Sequence, residues 1–318
     1  MKLLLAGGTG FIGKSIIDSY IKKKLTKFKI KKIYVISRSA NKFIKQYKNK
    51  NIKFIKANLS KVKKLPDIDI AIYLAESTLL DEYQRIEKIS KLHKNSIDNF
   101  CNLLKSNKNT KVLYCSSGSV YKPSKKKVNE NSQLVKSKDK KNYKYTYSLL
   151  KLYSENKIRA LAKDGVKCSI ARCFSFVGPN LPLTKHYAIG NFLYDGLFKK
   201  LINVKSKKKV IRSYMFADDL SLWLLTIAKN SNFNSPIYNV GSDTSVNIKK
   251  LAQIIGTMFN KQVKINKYTN KEVDSYVPNI NKAKKKLKLK INYDLKESIN
   301  LTINNNYEKI NYYYHAHI

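Results

Sequence analysis

The stretch Lys2-Leu3-Leu4-Leu5-Ala6-Gly7-Gly8-Thr9-Gly10-Phe11-Ile12-Gly13 decides how the rest of the chain is read. A short apolar run enters four glycines, and Lys14-Ser15-Ile16-Ile17-Asp18-Ser19-Tyr20-Ile21 continues with helical periodicity. This is a strand, a turn and a helix, the context in which a glycine loop has a physical meaning. Glycine permits the tight turn and lets backbone N–H groups approach a pyrophosphate. The helix start beyond it offers unpaired N–H donors and a partial positive charge. Gly8, Gly10 and Gly13 fit the six-residue dinucleotide spacing, and Gly7, Gly10 and Gly13 fit a wider one.

Outward from this loop, strand-like runs recur at Lys2–Ala6, Lys32–Ile36, Ile52–Ile55, Ile70–Leu74, Lys111–Cys115 and Lys167–Ala171. Helix-like stretches separate them, notably Leu79–Asn107 and Tyr143–Lys163. The alternation predicts an α/β fold, a Rossmann-type doubly wound parallel sheet with its ligand at the carboxyl ends of the strands. Regular alternation stops after Ala171, and Gly178-Pro179-Asn180-Leu181-Pro182 is a turn. The expected division is a dinucleotide domain over 1–171 and a smaller, mainly substrate-binding portion over 172–318, partly interleaved with it. Lys122–Asn142, polar and lysine-rich, reads as a mobile surface loop, and Asn304–Ile318 as peripheral.

Composition bounds the function. A chain of 318 residues can bury a large core. Its formal charge of +43 suggests a polyanionic partner. However, the 64 basic residues include only five arginines, and the lysines run along the whole chain. Asn, Ile and Tyr are abundant too, and all share A/T-rich codons with Lys. Codon drift therefore accounts for the charge, and no specific nucleic acid is expected. A basic nucleic-acid binder on a dehydrogenase fold is the alternative from another class. Cys101, Cys115, Cys168 and Cys173 show no Cys-x-x-Cys spacing and read as reduced thiols of a cytoplasmic protein. The N-terminus lacks a signal-peptide pattern, and no apolar run approaches the ~18 residues of a membrane span. No metal site is expected; His315 and His317 read as a solvated tail.

Chemistry-bearing residues follow the strands. Where an acidic residue would accept from an adenosine ribose 2′-OH, the second strand ends in Ser37-Arg38-Ser39. A guanidinium can grip a 2′-phosphate bidentately, so Arg38 favours NADP over NAD. The strand at Lys111–Cys115 runs into Ser116-Ser117-Gly118-Ser119-Val120-Tyr121, which places hydroxyls at a carboxyl edge. Tyr147 and Lys151, four apart, share a helix face, where lysine's charge is expected to lower the phenol's pKa from ~10 toward neutrality. That spacing occurs four times among the 22 tyrosines. Only Tyr147/Lys151 opens a long helix downstream of the serine-bearing edge, so position selects it.

With these motifs in order, the chain resembles an extended short-chain dehydrogenase/reductase of the nucleotide-sugar epimerase/dehydratase group. Leu74-Ala75, Arg172 to Pro179, Arg212-Ser213-Tyr214, Asp218-Asp219, Tyr238-Asn239-Val240-Gly241 and Val277-Pro278 extend the match to about residue 295. The resemblance implies Tyr147 as acid/base at a sugar's 4-oxygen. Lys151 would hold the nicotinamide ribose, and Ser117 would hydrogen-bond the same sugar oxygen. The cofactor would lie against Gly7, Gly10, Phe11, Ile12, Gly13, Arg38, Asn58, Leu74 and Ala75 as well as Tyr147 and Lys151. Ser175 and Arg212 would meet the nucleotide-diphosphate sugar, with Arg212 on its diphosphate, and Asn95 loosely matches a helix asparagine lining the site. A homodimer through the helices near 79–107 and 143–163 is also implied. Several positions depart from the family pattern. Asn58 replaces an aspartate, Glu76 a small residue beside the nicotinamide, Lys122 a glycine, and Ser175 an asparagine. Gly118 and Ser119 stand where 4,6-dehydratases carry Asp-Glu, which argues against dehydration. The expected activity is a 4-ketoreductase using NADPH, or alternatively a 4-epimerase holding NAD, in polysaccharide biosynthesis.

Overall fold

The computed structural model describes residues 1–44, 46–76, 85–136, 143–183 and 187–304. The first part alternates β1 (Lys2–Ala6), α1 (Phe11–Ile21), β2 (Lys32–Ser37), a short α2 (Asn41–Ile44), β3 (Ile52–Lys56) and β4 (Ile70–Tyr73). It continues with α3 (Ile86–Lys105), β5 (Lys111–Ser117), α4 (Tyr143–Lys163) and β6 (Cys168–Cys173). Next come β7 (Phe176–Val177), α5 (Ala188–Phe198), β8 (Leu201–Val204), β9 (Lys208–Ser213), β10 (Met215–Phe216) and α6 (Ala217–Lys229). The chain then forms β11 (Ile237–Val240), β12 (Ser245–Asn247), α7 (Ile248–Met258), β13 (Gln262–Ile265), β14 (Asn270–Tyr276), α8 (Asn281–Leu287) and α9 (Leu295–Asn304).

Seven strands form one sheet in the order β11-β6-β5-β4-β1-β2-β3, with every neighbouring pair parallel. The order reverses beside β1, so the crevice at its carboxyl end is the switch point of the sheet. The period of two along β1 divides the cores. Leu3 and Leu5 pack on one face with Ile16 and Ile17 of α1 and Leu220, Trp223 and Leu224 of α6. Leu4 and Ala6 pack on the other with Ile97 and Phe100 of α3 and Ile158 and Leu161 of α4. Each such fully buried aliphatic contributes about 1.5–3 kcal/mol, which holds the glycine loop between two rigid layers.

A third core joins α5, α7, β8 and β9 through Phe192, Ile202, Val210, Leu251 and Ile255. It supports a smaller sheet ordered β12-β9-β14. The chain does not stay there, because β11 returns to pair with β6 and α6 packs under the main sheet. Alternation alone does not predict that return. Within the segment expected as a mobile loop, residues 122–136 are pinned instead. Tyr121 bridges Leu134, Val128 bridges Pro278, and Val128 and Val135 are buried. Residues 137–142 of that segment lie outside the described residues, as do 79–84 of the expected long helix and His315 and His317.

Candidate active site

The glycine loop leaves β1 at the switch point. Gly7 N–H donates to Ile36 O at 2.7 Å, tying the loop to β2. Gly7 has φ +85°, and a Cβ there would lie 2.3 Å from the Ala75 Cα. Glycine is therefore required both by conformation and by the close approach of the chain leaving β4. A Cβ on Gly13 would lie 2.2 Å from Gly8 O, so Gly13 lets α1 seat against the loop. Gly10, by contrast, faces open space. It is the N-cap of α1 and gives no side-chain cap, so the first N–H groups of the helix keep their capacity for an anion. Phe11 and Ile12 are partly buried at the helix start, and Phe11 stacks on Phe176 with centroids 6.4 Å apart. An open cradle with uncapped donors fits a dinucleotide pyrophosphate.

At the end of β2, Thr9 Oγ1 lies 2.8 Å from Ser37 Oγ and 3.2 Å from Ser39 Oγ, with Arg38 exposed alongside. Leu74 N–H donates to Ala6 O at 2.7 Å, placing Leu74 and Ala75 beside the loop. Asn58 is engaged locally: its Oδ1 accepts from Ser60 N–H and Ser60 Oγ–H, capping a short turn.

Across the crevice, β5 and α4 bring Ser117, Tyr147 and Lys151 together. Ser117 lies at the end of β5, near enough to Tyr147 to act on its phenol and pull it down. Its Oγ lies 3.3 Å from Tyr276 Oη and accepts from Ser119 N–H. The Lys151 ammonium is 5.5 Å from the centroid of the Tyr147 ring. It donates to Cys115 O at 2.8 Å and forms a buried ion pair with Glu76. The Glu76 side chain is 2% exposed. Its Oε1 accepts from Tyr114 Oη–H at 2.6 Å and lies 3.2 Å from His93 Nε2. Ser154 Oγ, 2.8 Å from His93 Nε2, also reaches that oxygen.

These contacts change the expected electrostatics. Burial raises the Tyr147 phenol more than Lys151 lowers it, and Glu76 raises it further, so its net shift is upward. The depression expected from the Tyr–Lys spacing is overturned by desolvation and a second charge. Burial pulls the Lys151 ammonium down, but Glu76, together with Tyr147 and Cys115, more than compensates and holds it above its ordinary value. Burial pushes Glu76 up, and Lys151, His93 and Tyr114 together bring it below the usual carboxylate range. His93 is lowered chiefly by burial.

Behind this cluster, Arg172 is 1% exposed and grips Glu155 bidentately, with Nε–Oε1 2.9 Å and Nη2–Oε2 2.7 Å. Its Nη1 donates to Tyr121 Oη at 3.0 Å, and Tyr121 Oη–H donates to Asn239 Oδ1 at 2.7 Å. One satisfied network thus locks β6, α4, β11 and the chain after β5. The substrate side is built from the small sheet. Arg212 on β9 pairs in register with Tyr276 on β14, and its Nη1 meets Asp274 Oδ1 at 3.0 Å. Ser175 is half-buried between β6 and β7, and its carbonyl accepts from Met215 N–H. Asn95 is exposed on α3 and stands outside the cluster, where His93 takes part instead.

Sequence reasoning missed His93, Tyr276 and the contacts of Glu76. The readable signals were a carboxylate in place of a small residue and one of only four histidines on a helix facing it. Among the described residues no group of three or more His, Cys, Asp or Glu could hold a metal ion, and no helix is long and apolar enough to cross a membrane.

A seven-strand parallel sheet with a glycine loop at its switch point defines a Rossmann-type dinucleotide-binding protein. The chain belongs to the NAD dependent epimerase/dehydratase family, whose profile matches residues 3–241. It is 22% identical over 314 residues to UDP-glucuronic acid decarboxylase 3 of Arabidopsis thaliana, covering 95% of this chain and 87% of that one. Its fold matches UDP-glucose 4-epimerase from Thermotoga maritima, solved with UDP-glucose, at a TM-score of 0.81 and 17% identity over 98% of this chain and all of that one. It also matches UDP-glucuronic acid 4-epimerase from Bacillus cereus, solved with UDP-glucuronic acid and NAD. There the TM-score is 0.80 at 18% identity, over 99% of this chain and all of that one.

Proposed function

We propose that this chain is a 4-ketoreductase acting on C4 of a nucleotide-diphosphate sugar with NADPH. The observation that carries the reading is the convergence of Ser117, Tyr147 and Lys151 across the crevice from the glycine loop. When bound, the nicotinamide coenzyme supplies the hydride. The backbone N–H groups at Gly10–Gly13 hold its pyrophosphate, and Leu74 and Ala75 flank it. Arg38 and the Thr9–Ser37–Ser39 hydroxyls receive an adenosine 2′-phosphate. Lys151 has three N–H donors; Cys115 O and Glu76 take two, leaving one for the nicotinamide ribose. Ser117 donates a hydrogen bond to the sugar's 4-oxygen as negative charge grows there, and Tyr147 delivers its proton to that oxygen. An upward-shifted phenol is neutral at pH 7, as a proton donor in the reductive direction requires. Arg212 pairs with the diphosphate after exchanging its contact with Asp274, and Ser175 lines the sugar pocket between the 1–171 portion and the later one. The same reading includes a homodimer through the outer faces of α3 and α4.

A second reading, a 4-epimerase that retains NAD, is favoured by the likeness to two solved 4-epimerases. One screen separates the two. The purified chain is offered NADPH with nucleotide 4-keto-6-deoxy sugars, and separately UDP-hexoses or UDP-glucuronic acid with no added reductant. NADPH consumption matched by a 4-hydroxy product supports the reductase. C4 inversion without net coenzyme oxidation replaces it with the epimerase. In either case Tyr147→Phe should abolish turnover while coenzyme binding survives, and near-full activity would remove this mechanism.

A further inference from the structure

Glu76 is the feature that the proposed chemistry leaves unused. It lies just past the carboxyl end of β4, after Leu74 and Ala75, and its carboxylate is enclosed by three other elements. His93 reaches it from α3, Tyr114 from β5, and Lys151 and Ser154 from α4. Removing an ion pair from water is costly, and an apolar replacement of similar volume is often as stable or more so. Rigidity of the fold alone therefore does not require a carboxylate here. What the carboxylate does is local. It fixes the ammonium against Cys115 O and within 5.5 Å of the Tyr147 ring centroid.

Resting on the reading of Tyr147 and Lys151 above, we infer that Glu76 is a positioning residue, clamping Lys151 and offsetting its charge so that Tyr147 works as a neutral proton donor. A lone lysine beside the phenol would favour tyrosinate; a lysine–carboxylate pair presents little net charge to it. The other ionisable groups around the pair are Tyr73 at the end of β4, Tyr114 and Cys115 on β5, and His93 on α3. Among the described residues they are joined by Cys173 on β6, Tyr187 before α5 and Tyr276 on β14, with Asp98 on α3 acting on Tyr73 but paired with Lys157, and Glu155 on α4 acting on Tyr114 but held by Arg172. Burial raises Tyr73, Tyr114, Cys115 and Tyr276 and lowers His93, so these five favour their neutral forms. Among the described residues, Glu76 is the carboxylate that pairs with Lys151. The device suits a reductant's partner, which must give a proton to a ketone oxygen, better than a base that must first take one.

The test uses the full chain with no coenzyme or sugar added. Tyrosine labelled at 13Cζ, lysine at 13Cε and glutamate at 13Cδ are followed by NMR against pH, with Tyr147→Phe and Lys151→Met identifying the resonances. In Glu76→Gln the first proton should leave the Tyr147–Lys151 pair about one pH unit lower than in the native chain. Glu76→Asp should restore most of the difference. An unchanged or higher midpoint in folded Glu76→Gln overturns the inference. Should that variant not fold, the native chain decides, because the Glu76 carboxyl resonance must move at the midpoint of the pair, and a carboxyl that does not sense it overturns the inference equally. If these titrations hold and no nucleotide sugar is turned over, it is the proposed function that fails.

Discussion

Arg38 concentrates the choice of coenzyme in one guanidinium beside three hydroxyls. It is exposed and sits next to Thr9, Ser37 and Ser39, whose oxygens lie 2.8–3.2 Å apart. No carboxylate stands at the end of β2 to accept a ribose hydroxyl. A charge-assisted pair with a 2′-phosphate is worth about 1.5–3 kcal/mol. Arg38→Ala should therefore raise the Kd for NADPH by roughly tenfold or more, with little change for NADH. Fluorescence titration with both coenzymes measures this, and an equal loss for both would refute the NADP assignment. At this scale the sequence was legible wherever partners lie close along the chain. Tyr147 and Lys151 share a helix face, and Ser37-Arg38-Ser39 is contiguous. Glu76 was visible as an oddity, but its meaning was not, because Tyr114, His93 and Lys151 come from three different elements. Tyr276, far along the chain from Ser117, was hidden for the same reason.

Among the elements, the β1–loop–α1 unit carries the sharpest constraint. Two independent reasons demand glycine at Gly7: its φ of +85° and the Ala75 backbone in the space a Cβ would fill. Gly7→Ala should cost roughly 2–4 kcal/mol from the left-handed conformation and the overlap. A urea unfolding midpoint would register the loss, and coenzyme affinity should fall with it as the loop and the chain after β4 separate. Gly10→Ala meets no atoms and should leave stability much less affected. The six strands expected from β1 to β6 were readable because buried parallel strands are apolar runs between turn residues. β11 was not, since Ile237–Val240 is four residues long and joins the sheet only by pairing with β6 across α5 and α6. The segment 122–136 was misjudged for a related reason. Its polar composition says nothing of the Val128–Pro278 bridge or of Glu130 accepting from Asn239 N–H.

For the whole molecule, the charge of +43 has a physical consequence whatever its origin. Like charges over one surface repel, and salt screens them, with a Debye length of about 10 Å at 0.1 M and about 3 Å at 1 M. Raising NaCl over that range should increase the thermal midpoint by several degrees, read by circular dichroism. A midpoint that falls would show that the surface ion pairs, such as Lys2–Asp67 and Lys157–Asp98, outweigh the repulsion. The sequence by itself determined the glycine loop, the six leading strands and the Tyr147–Lys151 pair, because each is written in neighbours along the chain, through turn chemistry, period-two burial and helical spacing. Only the tertiary structure decided how β11 closes the sheet, that Arg212 stands beside Tyr276, and that a buried carboxylate at Glu76 meets Lys151. Those depend on contacts between distant segments, where desolvation and charge act through space and leave no periodicity in the chain.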